Sequence, residues 1–130
     1  MKLKYKVLAI DFDGTITLDQ DPDSQQKQLI MRFGAVEAIR LFHKLGATLI
    51  LWTCRTDQYL QQALDFLESY GIRHCFQYVN EHVPDIIEQY CKTCSESRKI
   101  WADKYIDDRN LGVKEINWFD IIKEVIEMEG

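Results

Sequence analysis

Residues 5–17 read Tyr5-Lys6-Val7-Leu8-Ala9-Ile10-Asp11-Phe12-Asp13-Gly14-Thr15-Ile16-Thr17. Val7, Leu8, Ala9 and Ile10 form a short apolar run closed by a glycine turn, the pattern of a strand buried on both faces. Asp11 and Asp13 then stand at its C-terminal end. In an open parallel sheet that edge is where ligands bind, so two acids there ask for a chemical reason. Side chains alternate along a strand, but a backbone that turns at Asp13-Gly14 can aim both carboxylates at one volume. Two anions so placed repel unless a cation lies between them, and an oxygen-only ligand set suits Mg²⁺. A metal-held carboxylate facing a phosphate can act as a nucleophile, while the second carboxyl protonates the leaving oxygen. The same residues also make an ordinary strand end and turn, and the choice falls to the rest of the chain.

After the first strand, residues 18–30 are polar and turn-rich, with Asp19, Pro22 and Asp23, and read as a loop. Residues 34–45 carry Val36, Ile39, Phe42 and Leu45 at helical spacing and stop at Gly46. Ala47 to Trp52 is a second apolar strand, followed by Thr53-Cys54-Arg55. Leu60, Ala63, Leu64 and Leu67 mark a helix over residues 57–70 with Asp57 as a candidate cap and Gly71 as its stop. Residues 75–79 suggest a third strand, and residues 80–98 a long connection with a short helix around Ile86, Ile87 and Tyr90 and a Ser-Glu-Ser turn. Asp103 to Ile106 is a fourth strand running into Asp107-Asp108-Arg109-Asn110. A last amphipathic helix starts near Trp118, with Phe119, Ile122, Val125 and Ile126 as its inner face.

This alternation is the rhythm of a doubly wound, Rossmann-like α/β fold: a mainly parallel sheet flanked by helices. The 130 residues suit a single domain, and 46% hydrophobic with 28% charged residues is an ordinary globular balance. A net charge of −5 argues against a nucleic-acid or anionic-membrane surface. There is no apolar run of bilayer length and no signal-peptide pattern, so the expectation is a soluble, cytoplasmic protein. Cys91-Lys92-Thr93-Cys94 has the spacing of half a zinc site, with His74 and Cys75 or His82 as an imaginable other half. A lone C-x-x-C without a second pair is a weak signal, so Cys54, Cys75, Cys91 and Cys94 are read as thiols of a reducing compartment. His43, His74 and His82 are read as surface or interface residues.

The polar residues fall in one pattern. Asp11, Thr53 and Asp107 each follow an apolar strand directly, and a parallel sheet gathers all three at its C-terminal edge. Independent turns would not need that coincidence. Thr53 offers a hydroxyl and a backbone N–H to a phosphoryl oxygen, or simply finishes a strand. Asp107 and Asp108 could complete a Mg²⁺ shell, or cap a turn. Lys99, eight residues before Asp107, could neutralise a transferring phosphoryl group, although lysines are commonly solvated. Arg55, Arg109 and Asn110 lie beside these residues and suit either substrate contact or loop bonding.

Asp11-Phe12-Asp13-Gly14-Thr15, then Thr53, then Lys99, then Asp107-Asp108 resembles the four-motif pattern of the haloacid dehalogenase-like hydrolase superfamily, most of whose members are Mg²⁺-dependent phosphatases. The likeness spans residues 7–110. It implies Asp11 as nucleophile through an aspartyl-phosphate, Asp13 as general acid/base, and Thr53 and Lys99 as phosphoryl ligand and charge stabiliser. Arg55 and Asn110 join Thr53 and Lys99 as candidate substrate contacts. Mg²⁺ is expected on the Asp11 carboxylate, the Asp13 backbone carbonyl and Asp107, with Asp108 close by. Larger members insert a cap domain, whereas here the first interval is a loop of under twenty residues and only 45 residues separate Thr53 from Lys99. The expectation is therefore a capless core whose open site could accept a bulky or macromolecular phosphate or be covered by a second subunit, with a small phosphate ester such as a sugar phosphate or nucleotide as the expected substrate. Two alternatives belong to other classes. A phospho-Asp switch would carry its acidic pair early and its lysine late, the reverse of the order here. A catalytically inactive scaffold would be expected to have lost a motif residue.

Overall fold

A computed structural model gives the architecture and describes residues 1–18, 28–90 and 97–128. The polar stretch 19–27, Cys91-Lys92-Thr93-Cys94 and the Ser95-Glu96 part of the expected turn lie outside the described residues. In chain order the elements are β1 (Lys2–Leu3), β2 (Val7–Ile10), α1 (Ala35–Lys44), β3 (Thr48–Leu51), α2 (Asp57–Ser69), a 3₁₀ turn (Arg73–Cys75), β4 (Phe76–Val79), α3 (Pro84–Tyr90), β5 (Lys104–Ile106), α4 (Trp118–Val125) and β6 (Ile126–Glu127). The central sheet has the order β4-β3-β2-β5 with every neighbouring pair parallel. This is the single-domain, Rossmann-like α/β architecture expected, with no separate cap unit among the described residues.

The apolar run Val7–Ile10 is buried along its whole length because both sheet faces are covered. Leu8 and Ile10 pack with Ile39 and Phe42 of α1, Leu67 of α2 and Trp118 of α4. Val7 and Ala9 face the other way, onto Ile50, Val83, Ile100 and Ala102. The longer helices thus share one face, and the second is covered mainly by short segments. Because the chain leaves β2 for β3 on one side and later places β5 on the other, the strand order reverses between β2 and β5. A crevice opens at such a reversal.

Several local expectations shift by a residue or more. Asp57 is the first residue of α2 and not its cap: Thr56 has the extended backbone of an N-cap, and its carbonyl accepts the N–H groups of Tyr59 and Leu60 at 3.1 Å each. The inner face of α4 is anchored by Trp118, while Phe119 is 43% exposed and Ile126 has left the helix to pair with Leu3. The Asn117 side chain accepts the N–H groups of Phe119 and Asp120, which fixes the helix start so that Trp118 turns inward. Cys75 ends the 3₁₀ turn and does not start β4. The β1–β6 antiparallel pair joins the two ends of the described chain, Lys2 opposite Glu127 and Leu3 opposite Ile126. No helix among the described residues is long and apolar enough to cross a membrane.

Trp118 is fully buried, and its indole N–H donates to the Thr15 carbonyl at 2.9 Å, tying α4 to the turn after β2. Trp118→Ala is expected to cost about 3–5 kcal/mol through the cavity and the lost packing. Urea unfolding checks it, and a loss below about 1 kcal/mol would show that α4 is not the anchor of this face.

Candidate functional site

The turn after β2 is tightly wound. The N–H groups of Thr15, Ile16 and Thr17 all converge on the Phe12 carbonyl, at 3.3, 3.0 and 3.1 Å. Gly14 takes a left-handed φ of 79°, which a side chain would strain, and its N–H donates to the Thr17 hydroxyl at 3.2 Å. From below, Arg32 donates to the Gly14 carbonyl at 2.9 Å, beside the Trp118 bond to Thr15. The turn is therefore held from inside the fold, which leaves its acids free to face outward.

Asp11 continues the strand ladder by donating its N–H to Ile106 at the end of β5, at 2.9 Å. This register brings Asp11 beside Asp107 and Asp108. One carboxylate oxygen from each of the three lies within 4.8 Å of the other two. The Thr15 hydroxyl sits among them, 3.1 Å from Asp11 Oδ2 and 3.2 Å from Asp108 Oδ1, and it accepts the Asp108 N–H at 3.0 Å. A hydroxyl has one proton, so it serves one carboxylate at a time. Asp107 is oriented by the Arg109 N–H at 2.9 Å. Burial, the charge of Asp107 and the hydrogen bond with Asp108 push the Asp11 carboxyl up to about 7, against the smaller opposing effect of Thr15. Three close carboxylates with only oxygens to offer fit a hard cation of the Mg²⁺ kind.

Asp13 lies outside this cluster. Its carboxylate is gripped by Arg55 through two 2.8 Å bonds, from Nε to Oδ2 and from Nη2 to Oδ1. The same guanidinium stacks over the Phe12 ring at 5.1 Å and donates to the Tyr59 carbonyl at 3.0 Å. Asp13 is 54% exposed against 18% for the Arg55 side chain, so the pair opens onto solvent from the Asp13 side. Together with Leu29, Cys54 and Tyr59 it lines a hollow of ≈ 570 Å³.

Thr53 follows β3 at the same edge. Its N–H is already committed to Asn80 Oδ1 at 2.8 Å, so it is not free for a phosphoryl oxygen. Its hydroxyl accepts the Arg55 N–H at 3.2 Å and keeps its own proton to donate. Lys99 places its ammonium 5.1 Å from the Tyr105 ring centre, in a hollow of ≈ 410 Å³ shared with Asp107, Asn110 and Trp52. Lys104 borders that hollow too, but its ammonium sits over Tyr5. The Asn110 amide donates to the Tyr105 carbonyl at 3.4 Å.

The structure thus joins Asp11, Asp107 and Asp108 directly, puts Lys99 and Asn110 in the lining of one hollow with Asp107, and sets Asp13 with Arg55 apart from the cluster. Sequence reasoning missed Thr15, Arg32 and Asn80 as supports. Thr15 alone left a signal, as the residue after the glycine turn.

No family model and no curated protein matches the chain. A solved structure of a conserved protein from Bacteroides thetaiotaomicron is similar, with 32% identity over 89% of this chain and 85% of that chain and a TM-score of 0.69.

The raised Asp11 carboxyl has a definite consequence. Between its ordinary pKa of 3.8 and about 7 the metal-free fold holds a proton that the unfolded chain releases. Its contribution to stability is therefore full at low pH and lost as pH rises through that window. Thermal melts of metal-free protein at pH 4.5 and pH 7.5 should show a larger fall for the native chain than for Asp11→Asn. Equal falls would mean that Asp11 is not the shifted group.

Proposed function

The chain belongs to the same family as the conserved Bacteroides thetaiotaomicron protein, and from its own site we propose that it is a Mg²⁺-dependent phosphatase of the haloacid dehalogenase-like kind. One observation carries the reading: Asp11, Asp107 and Asp108 converge at the strand-order reversal of a parallel sheet, their oxygens within 4.8 Å. Bound there by those carboxylates and the Asp13 carbonyl, Mg²⁺ would neutralise the acids and draw electron density from a phosphoryl group.

The chain's own groups divide the remaining work. Asp11 attacks the phosphorus of a phosphate monoester, forming the aspartyl-phosphate bond as the ester P–O bond breaks. Once released from Arg55, Asp13 takes a proton from solvent, delivers it to the departing alkoxide, and as the resulting carboxylate takes one from the water that hydrolyses phospho-Asp11, releasing inorganic phosphate. To do so its carboxylate leaves the Arg55 grip, and the freed guanidinium can bind the substrate anion in its place. The Thr53 hydroxyl donates to a phosphoryl oxygen. Lys99, which lines one hollow with Asp107, is the cation that would offset the developing charge. Thr15 holds Asp11 and Asp108 in register. With no cap unit among the described residues, a small phosphate ester such as a sugar phosphate or nucleotide can enter from solvent, and cytoplasmic residence fits such a substrate.

Hydrolysis of p-nitrophenyl phosphate by the purified protein is expected with Mg²⁺ and not with EDTA, and Asp11→Asn should lower turnover by roughly 10⁴-fold or more. Activity that survives Asp11→Asn removes the nucleophile assignment. Asp13→Asn should turn over poorly yet accumulate phospho-enzyme with this good leaving group, visible as an acid-stable mass increase. A variant with full turnover would remove Asp13 from the proton transfers.

A further inference from the structure

The opposite edge of the sheet carries a second set of donors that the proposed reaction does not use. His43 lies in the last turn of α1, and His74 and Cys75 close the 3₁₀ turn that leads into β4. All three precede the strands they lead to, so they stand at the N-terminal edge, the far end of the strands from Asp11. A ring nitrogen of each histidine and the Cys75 sulfur lie within 4.8 Å of one another. Cys75 Sγ is 3.8 Å from His74 Nε2, and the two imidazoles meet edge to face with centroids 5.3 Å apart.

Two features separate this group from ordinary packing. His43 Nδ1 is buried with no hydrogen-bond partner, and an unmet buried donor or acceptor costs about 1–3 kcal/mol. The Cys75 thiol is fully buried beside both rings; burial pushes its pKa up, and the nearby Arg40 charge offsets only part of that. Bond lengths of about 2.0–2.3 Å to nitrogen and sulfur set tetrahedral ligand atoms about 3.3–3.8 Å apart. The Cys75–His74 separation of 3.8 Å is already close to that spacing, and the remaining pairs lie within 4.8 Å. Two imidazoles and a thiolate are the donors of a borderline-soft cation, and they discriminate against Mg²⁺.

We propose that His43, His74 and Cys75 form a binding site for a Zn²⁺-class cation that clips the C-terminal end of α1 to the segment entering β4. The fourth position is open on the exposed His74 side, where water can complete a tetrahedron. Binding replaces the Cys75 S–H bond by a sulfur–metal bond and releases that proton to solvent. Each neutral imidazole contributes one lone pair, and nothing is oxidised or reduced. The site is independent of the phosphatase reading, since no residue is shared.

The test is titration of the metal-free, reduced full-length protein with Co²⁺ in excess Mg²⁺, read by the sulfur-to-cobalt charge-transfer band and the visible bands of tetrahedral cobalt. Both are expected to saturate at a single equivalent and to be quenched by Zn²⁺. Cys75→Ser should lose the charge-transfer band. His74→Ala changes an exposed side chain and should keep the fold while weakening Co²⁺ affinity at least about tenfold. No thiolate band at saturating Co²⁺, or unchanged affinity in His74→Ala, overturns the site. So does a band that persists in Cys75→Ser, because the sulfur would then belong to Cys54, Cys91 or Cys94. Should Cys75→Ser fail to fold, the native spectrum and His74→Ala decide alone.

Discussion

Three carboxylates crowded at the ends of two neighbouring strands repel one another, and the rest of the fold works against that repulsion. Asp11 and the Asp107-Asp108 pair meet because the β2–β5 ladder continues one residue past the strands, through the Asp11 N–H and the Ile106 carbonyl. Left in water, such groups would turn apart or take up protons, and Asp11 does show the second response. The Thr15 hydroxyl supplies the local counterweight, since it lies within hydrogen-bond reach of Asp11 after β2 and of Asp108 after β5. Neutral and small, it cannot cancel the charge. That leaves a demand for a cation which nothing in the cluster itself meets.

Holding the acids in place takes support from distant parts of the chain. The turn at residues 12–17 has its carbonyls tied from beneath by Arg32, Trp118 and its own N–H groups. Gly34, just before α1, is where these supports pack together. Its φ is 86°, which strains any side chain, and a Cβ there would sit 3.0 Å from the Phe119 ring and 3.1 Å from Trp118 Cβ, so a larger residue would push the start of α1 away from α4 by a few tenths of an ångström. At the other end of β2, the Asp103 carboxylate accepts the N–H groups of Lys6 and Val7, which locks the register of β5 before its acids are reached. Apolar burial fixes the sheet, and a few polar staples set its edge to within a residue.

This division of labour explains how far the sequence could be read. The core strands and α1 were legible because burial on both faces writes continuous apolar runs, and helix faces write a 3.6-residue period. The gathering of Asp11, Thr53 and Asp107 at one edge was legible for the same reason, as parallel topology alone puts strand C-termini together. Contacts that cross the chain left no periodic trace. Arg32 beneath Gly14, Asn80 on the Thr53 N–H and the β1–β6 pair each join residues far apart in sequence. The Arg55 grip on Asp13 was legible only as two open roles for Arg55, because a guanidinium beside an acid serves equally as salt bridge or anion site. Of the histidines read as surface or interface residues, His74 is exposed and His43, one residue before the end of α1, is half-buried against it.

The two ends of the sheet differ in chemistry as well as position. The C-terminal edge presents carboxylate oxygens near solvent, where a strongly hydrated, hard cation can keep part of its water shell. The N-terminal edge presents nitrogen and sulfur partly withdrawn into the core, where a cation must shed water and be repaid by more covalent bonds. The proposed ions would not compete, because each donor set is a poor match for the other's metal. They also act on different parts of the fold. One would offset repulsion between β2 and β5, while the other would draw the end of α1 toward the entry of β4, so loss of the second would loosen the α1–β4 side without moving an acid at the first.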